Sequence, residues 1–106
     1  MGIKEIFDRH GLVACIMGHA GDGNIHPNVA LDLRDENQAR HFALAKDELF
    51  KLALKLGGTL SGEHGIGSEK AAYVKDAIDK NALSAMINIK KLFDPNNILN
   101  PLKIFK

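Results

Sequence analysis

The sequence predicts an α+β domain in which an antiparallel strand pair is covered by helices. Three observations predict it. Two short strand-like runs, "LVACIM" and "NIHPNVALDL", flank a glycine-rich turn, a long stretch of apolar residues at helical spacing follows, and the remainder alternates helical segments with glycine- and proline-marked breaks.

The elements follow in chain order. "IKEIFDRHG" reads as a helix that ends almost where the chain begins, with Gly11 where helices stop in a left-handed residue. In the second strand run Ile25, Pro27, Val29 and Leu31 alternate with Asn24, His26, Asn28 and Ala30, and Gly21, Asp22, Gly23 and Asn24 favour a hairpin connection. Asp35 and Gln38 resemble a capping box ahead of Phe42, Ala45, Leu49, Leu52 and Leu56, until Gly57 and Gly58 end the pattern. Leu44, Phe50 and Leu54 widen that apolar face, so the helix is expected to pack against more than one surface. After "GGTLSGEHGIG", Ser68 is expected to cap a helix through "SEKAAYVKDAI". "ALSAMINIKKLF" forms another, with Leu83, Met86, Ile87, Leu92 and Phe93 inward. Asp94-Pro95-Asn96-Asn97 breaks it, and the tail "ILNPLKIF" is expected to be extended.

Composition limits what this scaffold can do. A chain of 106 residues is one domain at most and buries roughly 60 to 70% of its unfolded surface. A net charge of +1 supplies no field for a phosphate backbone, so nucleic acid is not an expected partner. Cys15 is the single cysteine, so no intramolecular disulfide or CxxC pair is possible, and a reducing, cytoplasmic compartment is expected. No apolar run approaches the ~20 residues of a transmembrane helix. Cys15 and the methionines read as core filler, and His10 and His41, among charged neighbours, read as solvated.

Chemistry concentrates in two stretches. His19 and His26 bracket the turn of the hairpin at positions expected to face one side, which would bring two imidazoles within reach of one ion. A further donor is available from "SGEHGIG", at Glu63 or His64. Two histidines and a carboxylate form an open metal site that suits catalytic Zn²⁺ and equally the facial arrangement of non-haem Fe²⁺. Neither G-x-G-x-x-G nor G-x-x-x-x-G-K-[ST] occurs, so a nucleotide-phosphate cradle is not supported.

"GHAGDGNIHPN", "GGTLSGEHGIGSEKAAYV" and "IKKLFDPNNILNPLKIF" occur in this order over nearly the whole chain. With them the chain resembles the C-terminal end of the FAD-linked oxidases of the vanillyl-alcohol oxidase superfamily, in the group of glycolate oxidase, D-lactate dehydrogenase and D-2-hydroxyglutarate dehydrogenase. The resemblance implies a fragment of the cap domain in which His19, His26 and Glu63 hold a divalent metal, Zn, Mn or Fe, and His64 is the catalytic base. Asn28 then falls at a substrate-contacting position, and Asn100 where the C-terminal segment approaches the flavin. The implied reaction oxidises a 2-hydroxy acid to the 2-oxo acid, the proton going to His64 and the hydride to FAD. Where the family commonly reads Asn-Pro-Gly-Lys, Leu102 replaces the glycine, and no role is carried over to Lys103.

The resemblance also implies that most of the FAD site lies in a domain or subunit outside these residues, so the chain is expected to be a fragment that is inactive alone. The rival expectation is a free-standing, metal-dependent acid-binding or regulatory subunit without redox activity. In either case unpaired strand edges and the wide apolar helix face predict self-association, as a homo-oligomer.

Overall fold

A computed structural model describes residues 2–105. Their elements, in order, are α1 (Ile3–Arg9), β1 (Val13–His19), β2 (Asn24–Ala30), α2 (Glu36–Lys55), a 3₁₀ turn (Ala71–Tyr73), α3 (Val74–Ala77) and α4 (Lys80–Phe93). The α+β expectation is met by one antiparallel strand pair and four helices. Between Gly57 and Gly58 the chain divides into two compact units.

In the first unit, α1 stops as its sequence predicts. Gly11 has φ +65°, a conformation that a Cβ disfavours. It lets the Gly11 amide donate to the Asp8 carbonyl (3.0 Å) and the Leu12 amide to the Phe7 carbonyl (2.9 Å). This turn also folds Leu12 back onto Phe7, and both are buried with Ile6 and Ala45 in one cluster. Ile3, Ala14, Val29, Phe42, Leu49 and Leu52 surround it, so α1, the inner face of the hairpin and α2 share a single small core. Burying each of Ile6 and Phe7 stabilises the unit by about 1.5–3 kcal/mol.

The Asp35 side chain caps α2 by accepting from the amides of Asn37 and Gln38. The Asp35 amide already donates to the Asp32 carbonyl (3.1 Å). Gln38 therefore completes the cap differently from a capping box, donating to the Asp35 carboxylate (3.0 Å) and accepting from the Asp32 amide (3.2 Å). Leu56 departs from the expected stripe: as the C-cap it lies beyond the last turn and is exposed, as is Leu44.

Three further expectations need correction here. Cys15 and Met17 are exposed, because the strand alternation that sends Ala14 to the core sends them outward. Met86 is exposed too, and Met1 lies outside the described residues. His10 and His41 are not solvated, since both are half-buried and in contact with each other.

In the second unit Leu60, Ala71 and Val74 are buried. The helix expected after Ser68 is replaced by the 3₁₀ turn and the short α3. The three-residue spacing of Ala71 and Val74 buries both on one side of such a turn. Asp79 then caps α4 through the amides of Asn81 and Ala82. α4 has no fully buried residue, and Leu92 and Phe93, expected inward, are exposed.

Asp94 does more than break α4. It is buried, pairs with Lys90, and accepts from the amides of Ile98 (2.8 Å) and Leu99 (2.9 Å). Lys90 in turn donates to the Leu99 carbonyl (2.8 Å). The tail beyond is not extended as expected. It turns repeatedly, with Asn97, Asn100, Leu102 and Ile104 all at positive φ. No helix among the described residues is long and apolar enough to cross a membrane.

Candidate functional site

The hairpin positions the two histidines of the first motif. Strand register pairs Val13 with Ala30 and runs through Cys15 and Asn28, and Met17 and His26, to His19 and Asn24. Because Ala14 and Val29 pack on the core, the alternation places Cys15, Met17, His19, Asn24, His26 and Asn28 on the opposite face. His19 and His26 are therefore on one face, as expected, but not directly opposite. Asn24 belongs to β2 rather than to the loop, so the two histidines are diagonal neighbours. Their rings meet edge to face with centroids 5.2 Å apart.

The turn itself explains this register. The Gly23 amide donates to the His19 carbonyl (2.9 Å), and the Asp22 side chain accepts from the Asn24 amide (3.0 Å). Asp22 thus closes the turn in four residues and leaves Asn24 in the strand. No local sequence rule marks the role of Gly18, whose bare backbone lets β2 pass close beside His19. Only a glycine next to a histidine in a strand run could have signalled it.

Glu63 and His64 are neighbours in the loop of the second unit, with His64 Nε2 3.3 Å from Glu63 Oε1 and the imidazole largely exposed. The Ser61 hydroxyl accepts from the Gly65 amide (2.7 Å), and the Thr59 hydroxyl donates to the Ser61 carbonyl (2.9 Å). These two short side chains, unremarked in the sequence, hold the loop that carries the pair. At its far end the Gly67 carbonyl accepts from the Ile104 amide (2.8 Å), which fastens the loop to the C-terminal tail.

Asn100 sits in that tail at φ +47°, a conformation asparagine tolerates, and lines an apolar groove with Ile89, Phe93, Leu99 and Phe105. Leu102 has φ +63° at the position where the resemblance expects glycine. The sequence departs there from the family pattern, but the backbone keeps the conformation that glycine favours.

Two imidazoles on one hairpin face suit a borderline divalent cation. For FAD, the loop after Gly67 leads into turns, and the first helix there, α3, has four residues. It offers no long helix N-terminus of the kind that binds a pyrophosphate.

Comparison with known proteins bears on the same residues. Residues 1–104 match the family described as FAD linked oxidases, C-terminal domain. Over 103 residues the chain is 43% identical to the glycolate oxidase subunit GlcD of Bacillus subtilis, covering 97% of this chain and 22% of that protein. It is 38% identical to the D-lactate dehydrogenase of Archaeoglobus fulgidus, with 97% of this chain and 22% of that protein covered. Over 101 residues it is also 38% identical to the mitochondrial D-lactate dehydrogenase [cytochrome] of Arabidopsis thaliana, covering 95% of this chain and 18% of that one. The chain thus spans about a fifth of the length of the curated relatives it matches. With its hairpin histidines, its glycine-rich Glu-His loop and its turning tail all inside the matched region, the chain belongs to the C-terminal domain family of the FAD-linked oxidases.

Proposed function

We propose that these residues form the metal- and substrate-binding part of an FAD-dependent dehydrogenase that oxidises a 2-hydroxy acid, such as glycolate or D-lactate, to the 2-oxo acid. The observation that carries the reading is the edge-to-face pair His19 and His26, on the hairpin face that also bears Asn28. Membership of the FAD-linked oxidase family, and 43% identity to a glycolate oxidase subunit, support the redox class.

In this reading His19 and His26 bind a divalent cation, Zn, Mn or Fe, as two neutral nitrogen donors, and Glu63 adds a carboxylate. When bound, the cation supplies Lewis acidity toward the substrate's oxygens, and FAD supplies the hydride acceptor. His64 accepts the hydroxyl proton at a ring nitrogen as hydride leaves C2. Asn28 orients the substrate from β2, and Asn100 lies on the flavin side. FAD itself is held mainly by a domain or subunit beyond these residues, without which the chain is inactive. The proposed compartment is the cytoplasm, where the exposed Cys15 thiol stays reduced.

Elemental mass spectrometry of the purified chain tests the metal set. Metal is expected in the unaltered chain, and His19→Ala and Glu63→Ala are each expected to hold about one equivalent less; an unchanged metal content in both variants would overturn the assignment. Combined with the flavin-binding part, the His64→Ala chain is expected to keep its metal while 2-hydroxy-acid oxidation falls by about 10²–10⁴-fold. An unchanged rate would remove His64 as the base.

A further inference from the structure

A second meeting of imidazoles lies in the first unit, where α1 packs on α2. Nδ1 of His10, the C-cap of α1, is 3.4 Å from Nδ1 of His41 on α2, and the tilted rings have centroids 5.7 Å apart. On its other side His10 Nε2 lies 2.9 Å from Oε1 of Glu48, whose second oxygen is engaged by Arg9 Nη2. The hydrogen bond from His10, with Arg9 behind it, holds the Glu48 carboxyl below the usual carboxylate range, so Glu48 is ionised wherever histidines titrate. The His10 side chain is 13% exposed, which leaves water little room to replace these partners.

Two ring nitrogens that face each other need one proton between them. A carboxylate can only accept, so His10 Nε2 carries a proton toward Glu48. With both rings neutral, the His10 Nδ1 lone pair then takes the Nδ1–H of His41. With one ring charged, a single proton again lies between the Nδ1 atoms, and Glu48 offsets the charge. With both rings charged, each Nδ1 carries its own proton. Hydrogens about 1.0 Å from their nitrogens would then stand about 1.4 Å apart across this gap, far inside contact distance, with like charges behind them.

The surroundings supply nothing that would absorb the second charge. Glu48 is already shared with Arg9. At helical spacing around His41, α2 presents Asn37, Gln38, Leu44 and Ala45, none of them charged, and Ile6 and Phe7 hold the corresponding places before His10. On α1, Lys4 and Asp8 pair with each other. β1, which also packs on α1, has no charged residue from Val13 to Gly18, and its one thiol, Cys15, is on the outer face. Ahead of α2, Asp32 pairs with Arg34 and Asp35 caps the helix.

From this geometry we infer that His10 and His41 form an acid-sensitive latch between α1 and α2, closed while one proton lies between their Nδ1 atoms and opened when each ring carries its own. Opening lifts the end of α1 from α2 and uncovers the core at Phe7. The latch depends neither on the hairpin histidines nor on the reaction proposed for them.

Proton linkage tests it. The folded pair holds at most one charge, whereas the unfolded chain takes two below histidine's ordinary value of about 6.5. The unfolded state therefore binds the extra proton, and stability falls as pH falls. In urea unfolding, the folding equilibrium constant of the wild-type chain is expected to drop close to tenfold more between about pH 6 and about pH 5 than that of His41→Gln, whose amide oxygen accepts from a charged His10 without conflict. His19, His26 and His64 are common to both chains and cancel. An equal drop in the two would overturn the inference. Nuclear magnetic resonance of the wild-type chain decides the matter without a variant: as pH is lowered, the rings of His10 and His41 should take up one proton between them before the Ile6 and Phe7 amide resonances move, and the second only as they move. Two fully charged rings with those amide resonances unmoved would also overturn it.

Discussion

A Cβ placed on Gly18 would lie 2.7 Å from the backbone carbonyl oxygen of Asn24, across the strand pair and next to His19. That distance is too short for carbon against oxygen, and neither partner is a side chain that can swing away. Gly18→Ala is therefore expected to push the strands apart, cost about 1–3 kcal/mol, and separate the rings of His19 and His26. Thermal unfolding together with metal content would test this; wild-type values for both would sink the steric argument.

Phe7 is the largest side chain buried in the first unit, at 2% exposure, and it also receives the back-folded Leu12. Phe7→Ala should destabilise by about 3–5 kcal/mol, against a typical total of about 5–15 kcal/mol for a small domain. Urea unfolding should show most of the cooperative transition lost. A shift below about 1 kcal/mol would mean that the core closes around the gap.

Leu102 is mostly exposed and left-handed, so its side chain contributes little packing while its backbone is strained. Leu102→Gly is expected to stabilise the tail by about 1 kcal/mol, the scale of left-handed strain in a non-glycine residue. An unchanged or lower melting temperature would count against that strain.

The Lys90 ammonium, helped by the amides of Ile98 and Leu99, holds the Asp94 carboxyl below the usual carboxylate range. A carboxyl lowered in the folded state stabilises the fold above its unfolded value and loses that contribution as pH falls through the folded value. The turn after α4 is thus expected to loosen below about pH 4, seen as movement of the Ile98 and Leu99 amide resonances. In Asp94→Asn that acid limb should disappear. Its persistence would assign the transition to another group.

Val13, Met17 and Ile25 are exposed on a two-stranded sheet whose outer edges carry no further strand among the described residues. Such edges tend to be covered by another chain. Sedimentation velocity of the isolated chain is expected to show a homo-oligomer that dissociates in Val13→Lys/Met17→Lys. A monomer throughout a concentration series would contradict this.

The parts of this architecture written in local sequence were legible. Gly11 marked the end of α1, Asp35 the start of α2, and the alternation of Ile25, Pro27, Val29 and Leu31 marked β2 and its two faces. The exact cross-strand pairing was not, because Asn24 reads as a turn residue until the Asp22 side chain is seen taking its amide. Nor could the pattern in α4 reveal which apolar residues would be covered: Leu92 and Phe93 carry the same periodic signal as Leu83. The contact of His10 with His41 joins residues 31 apart, beyond the reach of any local rule. Of the candidate site, the residue types and their glycine-rich settings were readable, whereas the clasp of Thr59, Ser61 and Gly65 emerges only from the folded loop.

The hydrogen bond from Ile104 to Gly67 also sets an order in time. A chain made from its N-terminus at ~5–20 residues per second takes about 2 to 7 s to travel from one of these residues to the other. The core of Phe7, Leu12 and Ala45 is complete long before then, while the loop bearing Glu63 and His64 still lacks its fastening. During synthesis, then, the histidines of the hairpin are in place while the glutamate and histidine of the loop remain unsecured, and the arrival of Ile104 determines when the loop is held.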